Sequence, residues 1–485
     1  MDRIISRFAA SAALRPNKVA LFTEKNQLTY DDLLYLAQVF ETRFRTSGVK
    51  LGDTLVVLAE QPEFIVVSYL LASRMSLTLV FSSLSLVRDA GLKFDKVLAS
   101  EPVEGMADDP RLLMITDDWF AALGSGSRPD LSEAFGDGAA FIGTTSGSTG
   151  RPKFVRTPEM RHLIKPQGFR LANAHTERTR FLSTMSARQG LTAAENLRTL
   201  LAGGSVVALR EHRSRFLPYL DHYRVTYLQT SPFTLKQMIE VPQPGQYFAS
   251  VEHVYVSGSM TSPVLLEGIA TISRAEIRYG YGLHEVGNVS SGLYDRDVSR
   301  PEGYLGEVDR DDIEIAFFDD ELNLRPDANE GIIGFRPTRE DTRRSYVGEI
   351  QSDGLTSVVD GYFIPGDLVR REGDSLYFLG RSKNILNMAG NKFSLEALQE
   401  ALEVGCGIRH AACAAVPDAY GIENLHVFYE AKSEIDTAAM NIAIAERVGA
   451  VSVGRAVRLD RMPTTENGKI DISQVRLMAK NNSAV

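Results

Sequence analysis

Short apolar runs alternate along this chain with stretches in which apolar residues recur every three or four positions. "NKVALF" and "DTLVVLA" predict buried strands, and "TYDDLLYLAQVFETRFR" between them sets Leu33, Leu36, Phe40 and Phe44 on one helical face. That reads as a strand, helix, strand unit. The pattern recurs where "HYRVTYLQTSP" is followed by "FTLKQMIEV" and "HVYVSGS" by "PVLLEGIATI", so the expected core is an α/β arrangement: a largely parallel sheet flanked by helices. From Gly303 to Phe363 the texture changes to short strands and turns, which predicts a β-rich region packed on that core. Past Gly380 it changes again. One helix beginning at Ser394 carries Leu395, Leu398 and Leu402 on a common face, followed by strands "AACAAVP" and "LHVFYEA". A boundary there divides the chain into an N-terminal domain, residues 1–380, and a small α+β C-terminal domain, residues 381–485.

Composition narrows the class without changing this picture. With 485 residues, 44% hydrophobic and 24% charged, the chain is globular and long enough for two or three domains. A formal net charge of -9 supplies no basic face for nucleic acid. The two cysteines, Cys406 and Cys413, fit a reducing compartment and form no metal-ligand cluster. The N-terminal residues have no apolar signal-peptide region, and the apolar run "FIVVSYLLAS" meets Arg74 well short of the roughly 20 residues a membrane span needs. A cytoplasmic protein with no membrane span is expected.

The candidate chemistry begins at "FIGTTSGSTGRPK", Phe141 to Lys153. Hydroxyls, glycines and free amides gather where an apolar strand ends, and a lysine follows. Glycine lets the backbone approach an anion closely, Ser and Thr donate hydrogen bonds, and Lys153 adds a cation, so the loop suits phosphate. It is not a Walker-type P-loop, whose spacing is absent. A flexible linker is the competing reading, but linkers seldom begin inside an apolar strand or end on a basic segment.

"TSGSTGRPK" closely resembles the signature of the adenylate-forming (AMP-binding) superfamily, which includes acyl-CoA synthetases, aryl-acid ligases and peptide-synthetase adenylation domains. The resemblance continues in order. "LTYDDL" is similar to an early family element, "YGYGLHEVG" to its Y-G-x-T-E motif, and "YFIPGDL" to its Y-x-T-G-D-L motif. "GRSKNILNMAGNKFSLEALQEAL" resembles its hinge and the start of its C-terminal domain, and "PTTENGKID" its P-x-T-x-x-G-K element. The resemblance implies a two-step reaction: a carboxylate attacks the α-phosphorus of ATP, giving acyl-AMP and pyrophosphate, and a thiol then displaces AMP. It implies that Thr144, Thr145, Ser146, Gly147, Ser148, Thr149, Gly150 and Lys153 cradle phosphates, and that Glu285 holds Mg²⁺. Tyr281 and Gly282 would lie at the adenine, while Asp367 and Arg381 would serve the ribose or phosphate region. Lys469 would be the catalytic lysine of a mobile C-terminal domain, and Lys383 the hinge. Two positions depart from the family. His284 and Pro365 stand where threonines are usual, and His284 bears on the α-phosphate contact.

The resemblance assigns the acid to Ser186, Arg188, Gln189, Ser257, Gly258, Ser259 and Gly280. Amino-acid-activating relatives carry an aspartate here for the substrate's ammonium group. In "FLSTMSARQGLTAAENLRTLLAGGSVVAL" the candidates for that place are Ser186, Arg188 and Gln189, none of them a carboxylate, and a buried unpaired ammonium costs several kcal/mol, so an ordinary α-amino acid is disfavoured. Arg188 invites two readings: a fork for a polar or anionic group on a small functionalised acid, or a surface ion pair. The thiol acceptor expected is CoA, with a separate carrier protein's phosphopantetheine as the alternative. A nonenzymatic nucleotide-binding regulator is a third class, opposed by intact Lys469, Glu285 and Asp367.

Overall fold

Thr29 starts the first long helix. Its hydroxyl accepts from Asp32 N, while the Asp32 carboxylate accepts from Thr29 N at 2.8 Å, a reciprocal cap that launches Tyr30–Thr46. On that helix Leu33, Leu36, Phe40 and Phe44 are all buried, as their spacing predicts. The computed structural model describes residues 3–120, 130–145, 153–163, 175–210, 216–258, 261–298, 301, 303–319, 321–340, 343, 345–347, 358–381, 385–388, 391–408, 410–463 and 472–481.

Two large sheets form the core. In the fifteen-stranded sheet, Val19–Phe22, Ser205–Val207, Arg180–Ser183, Tyr227–Thr230, His253–Val256 and Glu276–Leu283 lie side by side and parallel. The seven-stranded sheet is built around Thr54–Val57, Thr78–Phe81, Lys96–Ala99, Leu112–Met114 and Ala140–Thr145, also parallel. The predicted units at Tyr227–Thr230 with helix Pro232–Ile239, and at His253–Val256 with helix Pro263–Ile272, are present. The first predicted unit needs correction. Val19–Phe22 and Thr54–Val57 belong to different sheets, because Gln27–Thr29 folds back antiparallel on Val19–Phe22 and sends the chain off the sheet edge. The helix Tyr30–Thr46 then crosses to the other sheet, and one apolar cluster, from Leu21 through Phe40 and Phe64 to Leu55, joins the two layers.

Beyond Leu283 the large sheet turns antiparallel, through Gly287–Leu293, Tyr304–Val308, Ser375–Arg381, Asp367–Glu372 and Glu330–Pro337. This is the β-rich region expected from Gly303 onward. After it, helix Leu395–Cys406 buries Leu395, Leu398 and Leu402 against a three-stranded sheet, His410–Pro417, Glu423–Glu430 and Val453–Leu459. Cys413 lies in that core, and neither it nor Cys406 is in a disulfide. The turn after His410–Pro417 docks on the preceding fold: Lys236 Nζ lies 2.5 Å from Asp418 Oδ2 and 4.8 Å from the Tyr420 ring centre. Among the described residues no helix is long and apolar enough to cross a membrane.

Candidate active site

The hydroxyl-rich loop grows out of a β-hairpin. Ala140–Thr145, an inner strand of the seven-stranded sheet, pairs antiparallel with Lys153–Pro158, so that Thr145 faces Lys153 and Thr144 faces Phe154. Lys153 therefore stands at the base of the hairpin, in register with Thr145. Ser146, Gly147, Ser148, Thr149 and Gly150 lie outside the described residues. The far end of the hairpin is fixed by Glu159, a buried carboxylate that accepts from Ile4 N at 2.7 Å, Arg3 Nε at 2.6 Å and Ala139 N at 3.0 Å. A buried charge satisfied in this way is costly to disturb, which holds the hairpin rigid below its loop.

The second part of the site is the turn between Glu276–Leu283 and Gly287–Leu293. It carries His284 and Glu285, both half-buried, with Tyr281 and Gly282 on the strand leading in. Gly282 has no room for a side chain: a Cβ would lie 2.8 Å from Gly287 O and from Asn288 Cα. Tyr281 Oη donates to Asp367 Oδ2 at 2.8 Å, across 86 positions of sequence. Asp367 is almost fully buried and opens the strand Asp367–Glu372, in register with Arg381, whose side chain lies outside the described residues. The aromatic and acidic positions thus meet as a unit.

Sequence reasoning passed over Arg310, which braces that turn. Its Nη1 donates to Val286 O at 2.8 Å and to Asn288 O at 3.0 Å, the backbone just after Glu285. Its Nε and Nη2 take Asp312 bidentately at 2.6 and 2.8 Å, and Asp312 also accepts from Arg161 Nη1 at 3.0 Å. Burial alone would push the Asp312 carboxyl up, but hydrogen bonds from Arg310 and the charges of Arg310 and Arg161 hold it below its ordinary value. Burial, together with the nearby Arg310 charge, brings Arg161 down to about 10. Arg161 belongs to the short helix after the hairpin, so one buried ionic chain ties the hairpin's element to the Glu285 turn. The signal in "DRDDIEI" was a charge cluster, which reads as an ordinary solvated turn.

Of the residues expected to hold the acid, Ser257 is buried and Gly258 has a positive φ of 100°; Ser259 lies outside the described residues. Gly280 faces Tyr255, whose Oη would be 2.5 Å from an added Cβ. Ser186 and Gln189 lie in the turn leading into helix Gly190–Leu201, with Ser186 O accepting from Gln189 N at 3.0 Å. Arg188 points elsewhere. Its Nη2 donates to Val57 O at 2.9 Å and its Nη1 lies 3.7 Å from Glu60, so the guanidinium is bound to the edge of the other sheet's strand Thr54–Val57. Burial lowers its pKa, with Glu60 opposing. Lys469 and Lys383 lie outside the described residues.

Residues 8–338 match the family model described as AMP-binding enzyme, and the chain belongs to that family. It is 26% identical to triostin synthetase I of Streptomyces triostinicus over 354 residues, 71% of this chain and 65% of that protein. It is 22% identical to enterobactin synthase component E of Escherichia coli, over 98% of this chain and 93% of that one. The chain spans less than two thirds of several relatives, including 18% of nonribosomal peptide synthetase anaPS of Neosartorya fischeri. Among solved structures, the amide bond synthetase McbA from Marinactinospora thermotolerans superimposes with a TM-score of 0.75 at 18% identity, covering 98% of this chain and 99% of that one. An o-succinylbenzoate CoA synthetase from Bacillus subtilis does so equally, at 0.75 and 18%, over 97% and 98%. These structures share the fold.

Proposed function

We propose that this chain uses ATP to convert a carboxylic acid to acyl-AMP, releasing pyrophosphate, and then passes the acyl group to a thiol, with CoA as the acceptor. The observation that carries the proposal is the hydrogen bond from Tyr281 to Asp367, joining two family motifs distant in sequence into one pair. An aromatic ring beside a buried carboxylate suits a purine and the hydroxyls of its ribose, since a carboxylate offers several acceptor positions. Membership of the AMP-binding family agrees with this reading.

The first step brings a carboxylate anion to a polyanion, so its main requirement is positive charge and donors aimed at the phosphate oxygens. Lys153 and Thr144, at the hairpin base, would supply a cation and a hydroxyl, and the family resemblance assigns further donors to Thr145 and to the glycine-rich segment that follows it. Glu285 would hold Mg²⁺, which when bound neutralises phosphate charge; one carboxylate is a usual protein share for that ion beside substrate phosphates. His284, in place of threonine, would offer a ring nitrogen to the same region. Lys469 would bridge the carboxylate and α-phosphate, and rotation about Lys383 would remove it for the thiol step.

The test is to incubate the protein with ATP, Mg²⁺, CoA and a panel of carboxylic acids, and to follow products by mass spectrometry. The proposal expects acyl-AMP without CoA and an acyl-CoA thioester with it. Acyl-AMP that transfers to a carrier protein's phosphopantetheine but never to CoA would replace CoA by the carrier. The o-succinylbenzoate CoA synthetase structure and the adenylation–carrier structure PA1221 represent these two acceptors among the fold's neighbours.

A further inference from the structure

Among the described residues, several buried polar groups of the large sheet have no partner within the protein, and two of them, Tyr227 Oη and the Gln229 amide, sit two positions apart on one strand. Gln229 is fully buried, and neither its Oε1 nor its Nε2 has a hydrogen-bond partner. Such a group has given up water without replacement, and in a native fold it calls for an explanation. Its position supplies one. Alternation along Tyr227–Thr230 puts Gln229 on the same face as Tyr227, the face on which Leu191 of helix Gly190–Leu201 packs against Phe181, Tyr227 and Tyr255. The register sets Gln229 directly between Ser183 and Tyr255. One step further along that face is Ser257, whose buried Oγ also has no partner, and Gly280 stands against Tyr255. Gly190 is exposed and Ser183, Leu191 and Gly280 are half-buried, so the surface opens at the carboxyl ends of the parallel strands, where ligands bind in such sheets.

The neighbouring charges are already committed. Glu195 is held by His175 Nε2 at 2.6 Å and by Arg198, and Arg188 is spent on Val57 O and Glu60. What remains unpartnered is neutral: the hydroxyls of Tyr227 and Ser257, and the Gln229 amide with one donor face and one acceptor face. A hydroxyl or a carboxamide reciprocates both, whereas a hydrocarbon satisfies neither and a carboxylate sets oxygen against Oε1. We infer that Gln229 determines specificity, and that the acid carries a neutral hydroxyl or amide group, away from its reacting carboxylate, that pairs with the Gln229 amide. This inference rests on the activity proposed above.

Acid-dependent pyrophosphate exchange tests it, with benzoate, its 2-, 3- and 4-hydroxy and carboxamide derivatives, butanoate, and 3- and 4-hydroxybutanoate as probes. The wild type should favour at least one hydroxy or amide acid over its parent by about 10-fold or more in kcat/KM, as a site with buried polar groups rejects an analogue that leaves them unpaired. Gln229→Met should erase that preference through KM for the functionalised acid, with KM for ATP unchanged. The melting temperature should hold or rise, because an unpaired amide is removed. Preference for the unsubstituted parents in the wild type, which needs no variant, would overturn the inference while leaving the activity standing. So would a preference that survives Gln229→Met, or one that survives while the melting temperature falls, the mark of a structural glutamine. Absence of exchange with every probe would overturn the activity and this inference together.

Discussion

Replacing Arg310 by methionine would remove the brace of the Glu285 turn while keeping most of the side chain's volume. The Arg310 side chain is 2% exposed and Asp312 12%, so their bidentate pair is shielded from water. Breaking such a pair costs about 3–5 kcal/mol when a charge is left uncompensated. Arg161 still reaches Asp312 at 3.0 Å, which places the ionic loss at the low end, about 3 kcal/mol. Val286 O and Asn288 O each lose a charge-assisted donor, adding about 1 kcal/mol apiece. A total near 5 kcal/mol should lower the melting temperature by roughly 5–10 °C in a chain of this size. Arg310→Lys keeps the charge but not the fork, so about half that fall is expected. Calorimetry measures the fall, and a Mg²⁺ titration of adenylation reads the turn itself. Because Glu285 immediately precedes Val286, the Mg²⁺ concentration for half-maximal rate should rise about 10-fold, about 1.4 kcal/mol. A methionine variant as stable as the wild type, with unchanged Mg²⁺ dependence, would refute the reasoning.

Other expectations follow from particular residues. Lys469→Ala should slow acyl-AMP formation by about 10²–10³ while transfer from supplied acyl-AMP persists; single-turnover assays of each half-reaction would separate the two. Lys383→Pro, which fixes φ at the hinge, should preserve adenylation and depress thioester formation, again read from the separate half-reactions. Asp367→Ala should raise KM for ATP by roughly 10-fold or more, with a smaller rise for Tyr281→Phe, and unchanged ATP kinetics would remove both from the nucleotide site. Burial tends to raise the Glu195 carboxyl, yet Arg198 and His175 outweigh it and hold it at about 2, against an ordinary 4.5. A depressed carboxyl stabilises the fold above its ordinary pKa and loses that contribution as pH falls through the folded value. Glu195→Gln should therefore be less stable at neutral pH, with the gap to wild type closing between about pH 4.5 and pH 2 in calorimetric melts.

How far the sequence could be read depended on whether the information was local. Periodicity placed Leu33, Leu36, Phe40 and Phe44 on one buried face, and Leu395, Leu398 and Leu402 on another. Motif order identified Tyr281 and Asp367, which do meet despite their separation. Strand partnership was not local. "NKVALF" and "DTLVVLA" are correctly strands, but an apolar run says only that a strand is buried, not which sheet buries it, and the fold-back at Gln27–Thr29 sent them to different sheets. Arg310 stayed hidden for a similar reason: its value lies in carbonyls more than twenty positions away, and a charged turn advertises nothing of that. Arg188 drew notice as an unusual residue, yet its partners, Val57 and Glu60, come from far earlier in the chain. Gln229 did leave a trace, a lone amide in the apolar run "VTYLQT", and burial turned that trace into a question about the ligand.

The central claim is that the protein joins a carboxylate to the α-phosphate of ATP. Isotope exchange between labelled pyrophosphate and ATP tests it most directly, because label enters ATP only if the first step is made and reversed on the protein. The account predicts exchange that requires Mg²⁺ and a carboxylic acid, needs no thiol, and falls by about 10²–10³ in Lys469→Ala. Exchange that proceeds without any acid, or tight ATP binding with no exchange across a broad panel of acids, would contradict it.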